Sequence, residues 1–183
     1  MLGDFKSGVS LMAKIKPRLE NFIKQLDNHS KIILYYKVAC LYFGNDNYRE
    51  TIPWLNRIFT SEQVDIREDI HSFARILNLI SHYELGNMDV IDYYIRSTYR
   101  FMLKKDDLYR FQKAILSFLR KLAEEFEEKD LIPEFEKLRD KLIPLKESAF
   151  EKRAFIYFDI ITWLESKIQS KRVQDLIAAK ANV

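Results

Sequence analysis

The chain has 183 residues, of which 48% are hydrophobic and 31% are charged, and its formal net charge is +3. This length and balance are typical of a globular domain that buries a sizeable core, and so small a net charge does not by itself indicate a nucleic-acid-binding protein. Only four glycines and four prolines are present, so turns must be few and short. The composition therefore predicts a mostly helical chain.

The number of cysteines and the lack of long apolar runs indicate the cellular compartment of the protein. Cys40 is the single cysteine, which excludes a disulfide within the monomer and suits a reducing environment. It lies in the apolar segment YYKVACLYF, where it is predicted to be a small, unreactive buried residue. No run of 18 apolar residues predicts a membrane span, and the first residues lack the apolar stretch of a signal peptide. The sequence therefore predicts a cytoplasmic protein.

Apolar residues recur at helical spacing along the whole chain, without strand-like alternation of useful length. The N-terminal pattern predicts one helix over residues 5–27, or two helices that join near Pro17. Ser30 is predicted to cap the following helix, which runs to about residue 43. In chain order, the further helices are predicted over residues 48–59, 66–85, 87–103, 106–128, 133–145, 148–170 and 173–181.

Two segments share a pattern of helix, turn and helix, which indicates a repeat. Residues 39–59 are ACLYFGNDNYRETIPWLNRIF, and residues 79–99 are LISHYELGNMDVIDYYIRSTY. Their alignment pairs the turn at 46–47 with the turn at 86–87, and in both copies aromatic-type residues end the first helix. A third copy, AEEFEEKDLIPEFEKL, is predicted to turn at 129–130. The turns therefore recur every 40 to 44 residues.

The first copy resembles the tetratricopeptide repeat family, whose units pair two helices in about 34 residues. Ala39 matches the small residue of the family's first helix, and Tyr42 matches the tyrosine three positions later. Tyr48 matches the aromatic residue that opens the second helix. Thr51 stands where the family has a small residue at the helix crossing. The resemblance is strongest over residues 33–59, and the period in this chain is longer than the family's.

This resemblance implies an all-α fold in which antiparallel helix pairs stack as a short right-handed α-solenoid of eight or nine helices. Residues 1–183 are predicted to form a single domain. Its predicted parts are an N-terminal helix at 1–28, helix pairs at 30–60, 62–104 and 106–146, and C-terminal capping helices at 148–183.

In such a stack the first helix of each pair lines a concave face. Tyr36, Phe43 and Tyr83 lie on these helices, and they predict an apolar, aromatic groove that binds a partner protein or peptide. The alternative is that these rings only fill the stack. The sequence indicates neither a membrane as partner nor an oligomeric state.

A basic stripe suggests a second kind of surface. Arg96, Arg100 and Lys104 recur every four residues and so share a helical face. Residues 91–121 carry a local net charge of +5, against −4 over 122–152. The stripe is predicted to contribute to partner binding. With the tyrosines at 99 and 109, it also makes RNA or DNA the alternative partner, and a solvated basic face is the simplest interpretation.

The sequence contains no strong catalytic motif. Glu68 and His71 form one Glu-x-x-His pair, but a di-metal helical site needs two such pairs and further inward carboxylates. A surface carboxylate near a packed histidine is therefore expected instead. No glycine-rich phosphate loop or nucleophile elbow is present. The chain is predicted to be a non-catalytic protein without cofactor or metal.

Overall fold

The computed structural model describes residues 4–60, 67–103, 110–125, 131–148, 151, 155 and 158–181. Throughout these ranges the regular structure is helical, which confirms the predicted all-α class. The described helices are α1 (Phe5–Gln25), α2 (Asn28–Gly44), α3 (Tyr48–Phe59), α4 (Glu68–Glu84), α5 (Met88–Leu103), α6 (Arg110–Glu125), α7 (Leu131–Lys146), α8 (Ile160–Ile168) and α9 (Val173–Ala181).

Capping carboxylates fix where several helices begin. The sequence predicted that Ser30 caps α2, and this prediction is wrong. Asp27 is the N-cap, and its carboxylate accepts from the backbone N–H of Ser30 at 2.9 Å and from the hydroxyl of Ser30 at 2.8 Å. These hydrogen bonds lower the pKa of Asp27, because they favour the charged form. The N-terminal region is one helix, since α1 continues through Pro17.

Three helices end in the same hydrogen-bonded turn. At the end of α4, the N–H of Gly86 donates to the carbonyl of Tyr83, and the N–H of Asn87 donates to that of His82. Gly86 has φ +69°, as the Schellman motif requires. The ends of α2 and α8 repeat both hydrogen bonds, with Asp46 at φ +56° and Ser170 at φ +52° in place of the glycine.

The turn after α2 and the turn after α4 lie at the positions that the repeat alignment pairs, so the two turns are alike in backbone as well as in sequence pattern. The predicted turn of the third copy, at 129–130, lies outside the described residues. The predicted helix bounds place a break after residue 170, and the turn at Ser170 follows Gly86 by about twice the repeat spacing. The tetratricopeptide resemblance and the handedness of the stack stay predictions.

Neighbouring helices pack in sequence from α1 to α7, and the first helices of the pairs also contact one another, α2 with α4 and α4 with α6. The core between them is apolar, with Leu55, Ile58, Leu77 and Ile80 fully buried. This pattern of contacts is what stacked antiparallel pairs produce.

The C-terminal segment is not the predicted single helix over 148–170. Asp159 is the N-cap of α8, and its carboxylate accepts from the backbone N–H of Thr162 at 3.1 Å, so the helix begins only at Ile160. Helix α8 packs on α7, and its Trp163 is fully buried. Phe158, just before α8, contacts Phe43 of α2 edge to face at 5.1 Å between ring centroids.

Candidate binding surface on α5 and α6

Helix α5 buries one side and exposes the other. Ile91, Ile95, Thr98 and Met102 recur at spacings of three and four residues and are buried, because they share the face that meets the rest of the stack. The remaining sides carry exposed charged and large apolar side chains. The exposed large hydrophobic residues of this helix are Met88, Val90, Tyr93, Tyr99 and Leu103.

The exposed side of α6 is mainly cationic over residues 110–121. Between Phe111 and Leu119 the apolar residues are buried. Over residues 110–121 the exposed residues are Arg110, Lys113, Ser117, Arg120 and Lys121. Four of these five side chains are basic and none is acidic, so this helix presents a strip of positive charge to solvent.

A groove with a volume of about 490 Å³ lies between the two helices, and we call it the α5–α6 groove. It is lined by Asp92, Ile95, Arg96, Tyr99, Lys113, Leu116, Ser117 and Arg120. Ile95 and Leu116 are buried and supply its apolar parts. Among the described residues, three cations against one carboxylate give the lining of the groove a net positive charge.

Asp92 is the one acidic side chain among the described residues that line the α5–α6 groove, and it is already paired. Asp92 Oδ2 lies 2.7 Å from Arg96 Nη2, and both side chains are more than half exposed. Such an exposed pair contributes little to stability. An incoming carboxylate can therefore compete for Arg96 at small cost.

The structure brings only part of the predicted stripe to this groove. Arg96 lines it, whereas Arg100 is exposed outside the lining and its Nε donates to the carbonyl of Arg96 at 3.4 Å. Lys104 lies outside the described residues. The sequence interpretation missed Ser117 and Arg120, which follow Lys113 at helical spacings of four and three residues. The local excess of basic residues over 91–121 was the signal that could have found them.

The predicted concave groove is filled by the chain itself. Tyr36 is 4% exposed and Phe43 is 2% exposed, so both rings lie in the core. Tyr83 is partly buried and packs edge to face on Phe135 and Trp163, each at 6.3 Å between ring centroids. In this structure the three side chains therefore pack against the chain's own helices. This arrangement agrees with the alternative, left open by the sequence, that these rings fill the stack. Their role in partner binding stays a prediction.

The end of α8 carries a second polar depression, of about 380 Å³. It is occupied by internal ion pairs: Arg172 Nε lies 2.8 Å from Asp46 Oδ2, and Tyr48 donates to the other oxygen of Asp46 at 3.3 Å. Nearby, Glu84 accepts from Trp163 Nε1 at 2.6 Å and pairs with Lys167 Nζ at 2.5 Å. These groups join the ends of α2, α4 and α8, so this depression is better explained as a structural cluster than as a binding site.

The remaining candidates from the sequence are Cys40 and the Glu68–His71 pair. Burial raises the pKa of the Cys40 thiol to about 12, although a hydrogen bond with Tyr36 opposes the shift, so the thiol is protonated near neutral pH. His71 is fully buried. No three His, Cys, Asp or Glu side chains in the described part of the chain lie close enough together to hold a metal ion.

No helix among the described residues is long and apolar enough to cross a membrane. Comparison of the chain with protein-family models, with curated proteins and with solved structures gave no match.

Proposed function

We propose that this chain is a non-catalytic binding domain that recognises an acidic segment of a partner protein in the α5–α6 groove. The observation that carries the proposal is the composition of that groove: three cations and an exposed tyrosine surround an apolar floor. A protein segment with both carboxylates and apolar side chains is complementary to such a surface, because its carboxylates can pair with the cations and its apolar side chains can contact the apolar floor.

The residue types favour a protein partner. Tyrosine and arginine are enriched among residues that dominate binding energy at protein interfaces, and this groove presents Tyr99, Arg96 and Arg120. Tyr99 is 46% exposed and lines the groove, so its ring can bury area on binding at a small entropy cost. The surrounding cations would speed association with an acidic partner and fix its register.

The proposed surface differs from the concave groove that the sequence suggested. Binding there would have to expel the packed rings of Phe43 and Tyr83 from their contacts with Phe158 and Trp163. Exposing a large buried side chain costs about 1.5–3 kcal/mol. The α5–α6 groove is open without such a rearrangement.

The test uses charge reversal in the groove. A photo-crosslinking residue in place of Tyr99 would identify the partner, whose affinity is then measured with purified components. We expect Lys113→Glu with Arg120→Glu to weaken binding by at least about tenfold, or about 1.4 kcal/mol. Lys14→Glu is the matched control, because Lys14 is exposed on α1. An affinity unchanged by the groove double variant would reject the groove as the binding surface.

A nucleic acid is the second candidate, because α5 and α6 combine exposed tyrosines with cations. Tyr93 is 63% exposed and Tyr99 46%, and exposed rings can stack on bases while Lys and Arg contact phosphates. Filter binding with single-stranded RNA and duplex DNA at two salt concentrations tests it. A salt-dependent affinity that the groove double variant abolishes would favour nucleic acid over protein, and its absence would remove this candidate.

A further inference from the structure

Arg75 occupies an unusual environment on α4. Its guanidinium carbon lies 4.2 Å from the ring centroid of Phe101 on α5 and 4.9 Å from that of Phe59 on α3. The side chain is half-buried, and its buried Nε has no hydrogen-bond partner. Among the described residues no carboxylate pairs with this cation. The two rings stabilise the positive charge, but they accept none of the in-plane hydrogen bonds that a guanidinium donates.

His71 lies one helical turn before Arg75, and its side chain likewise lacks hydrogen-bond partners. It is fully buried, and neither ring nitrogen has a hydrogen-bond partner. Burial and the charge of Arg75 lower its pKa, while Asp69 acts in the opposite direction. Both oxygens of Asp69 already accept from Arg67, at 3.0 and 2.9 Å. No hydrogen bond joins Asp69 to His71.

Asn78 extends this cluster by one further turn, because its buried Oδ1 also lacks a donor. Spacings of four and three residues place His71, Arg75 and Asn78 on one side of α4. Each unsatisfied buried polar group costs about 1–3 kcal/mol. Unsatisfied buried groups on one side of a helix call for an explanation, and a bound ion is one of them.

We propose that His71 and Arg75 form a binding site for a small oxyanion, a carboxylate or a phosphate group, between α3, α4 and α5. Two oxygens of such a group can accept from the edge of the guanidinium that includes Nε, which is the bidentate geometry typical of arginine. A ring N–H of His71 supplies a third donor. Phe59 and Phe101 lie against the guanidinium and favour the ionic hydrogen bonds by excluding water.

This site is separate from the α5–α6 groove. Phe101 and Tyr99 are two residues apart on α5, so their side chains point about 200° apart around the helix. Phe101 contacts Arg75, whereas Tyr99 lines the groove. The proposal of an oxyanion site can therefore be tested independently of the proposed function.

The experiment titrates the whole chain with sodium phosphate and, separately, with sodium acetate, at constant ionic strength maintained with sodium chloride. Calorimetry measures binding, and nitrogen chemical shifts of the His71 ring report its protonation. We expect saturable one-to-one binding of at least one anion, with an upward shift of the His71 pKa because a nearby negative charge favours imidazolium. A response to phosphate alone identifies a phosphate group as the ligand, and a response to acetate identifies a carboxylate.

Variants separate this site from general attraction to positive charge. Arg75→Gln should weaken anion binding by at least about tenfold, whereas Arg100→Gln, on an exposed arginine of α5, and Lys14→Gln, on an exposed lysine of α1, should leave it unchanged. If Arg75→Gln does not fold, Arg75→Lys keeps the charge but loses the bidentate edge, and should bind more weakly. Absence of saturable binding by the wild-type chain, or an unmoved His71 resonance at saturation, would overturn the proposal.

Discussion

Glu84 is predicted to hold the C-terminal segment on the helical stack. Its side chain is only 8% exposed and forms an ion pair with Lys167, while its other oxygen accepts from Trp163 Nε1. Both partners lie in α8, about 80 residues away in sequence. Replacing Glu84 by alanine removes the acceptor from a fully buried indole and the counter-charge from a lysine that is largely buried.

The expected cost follows from these environments. A buried N–H that loses its acceptor costs about 1–3 kcal/mol. Lys167 is 28% exposed and can regain some hydration, so its loss adds only about 1 kcal/mol. Glu84→Ala should therefore destabilise the fold by about 2–4 kcal/mol. Glu84→Gln keeps one acceptor oxygen for the indole and should cost about half as much.

Urea denaturation at neutral pH measures this change in the free energy of unfolding. With a urea m-value of about 2 kcal/mol/M, Glu84→Ala should lower the midpoint by about 1–2 M. Asp92→Asn is the matched control, because Asp92 pairs with Arg96 on the exposed surface and should cost under about 0.5 kcal/mol. Equal midpoints for Glu84→Ala and Asp92→Asn would refute the inference that Glu84 holds α8 in place.

Three further perturbations test other parts of the fold. Burial lowers the pKa of both His71 and His82 in the folded chain. As the pH falls, these histidines are protonated at a higher pH in the unfolded chain than in the folded chain, and this favours unfolding. The urea midpoint should therefore be highest above about pH 6.5 and decrease towards about pH 5.5, and a flat profile would contradict this. Gly44→Ala places a methyl group against the ring of Phe5 and should cost about 1–3 kcal/mol by the same assay; the penalty should vanish in a Phe5→Ala background. Ser170→Gly relieves a positive φ of 52° and should stabilise by about 1 kcal/mol, whereas a loss of stability would show that the serine side chain is needed there.

The helices were predictable because their determinants are local. The bounds of α3 agree with the predicted helix at 48–59, since a turn precedes Tyr48 and the apolar period continues to Phe59. Gly86 ends α4 as its sequence position predicted. The cap of α2 was misassigned because Asp27, Asn28 and Ser30 all have capping side chains, and the choice depends on backbone angles that the sequence does not reveal.

The candidate site was predicted only in part, because a groove needs two helices in register. Arg96 and Arg100 were recognisable on α5 from their spacing of four residues. Whether Arg96 or Arg100 faces α6 depends on how α5 is rotated in the stack, and that rotation is set by the burial of Ile95 and Met102. Whether Arg120 lines the groove depends in turn on how α6 packs in the stack.

The concave groove could not be assessed from the sequence because the chain that fills it is distant. Phe43 contacts Phe158, and Asp46 pairs with Arg172 across 126 residues. Neither contact has a signature in the repeat, since an aromatic residue that lines an open groove has the same spacing as one that packs under a returning helix. If α8 is essential to the core, as the full burial of Trp163 indicates, the first helices of the pairs are internal elements of this stack. The exposed sides of α5 and α6, which carry the cations and Tyr99 of the α5–α6 groove, lie outside that packed interior.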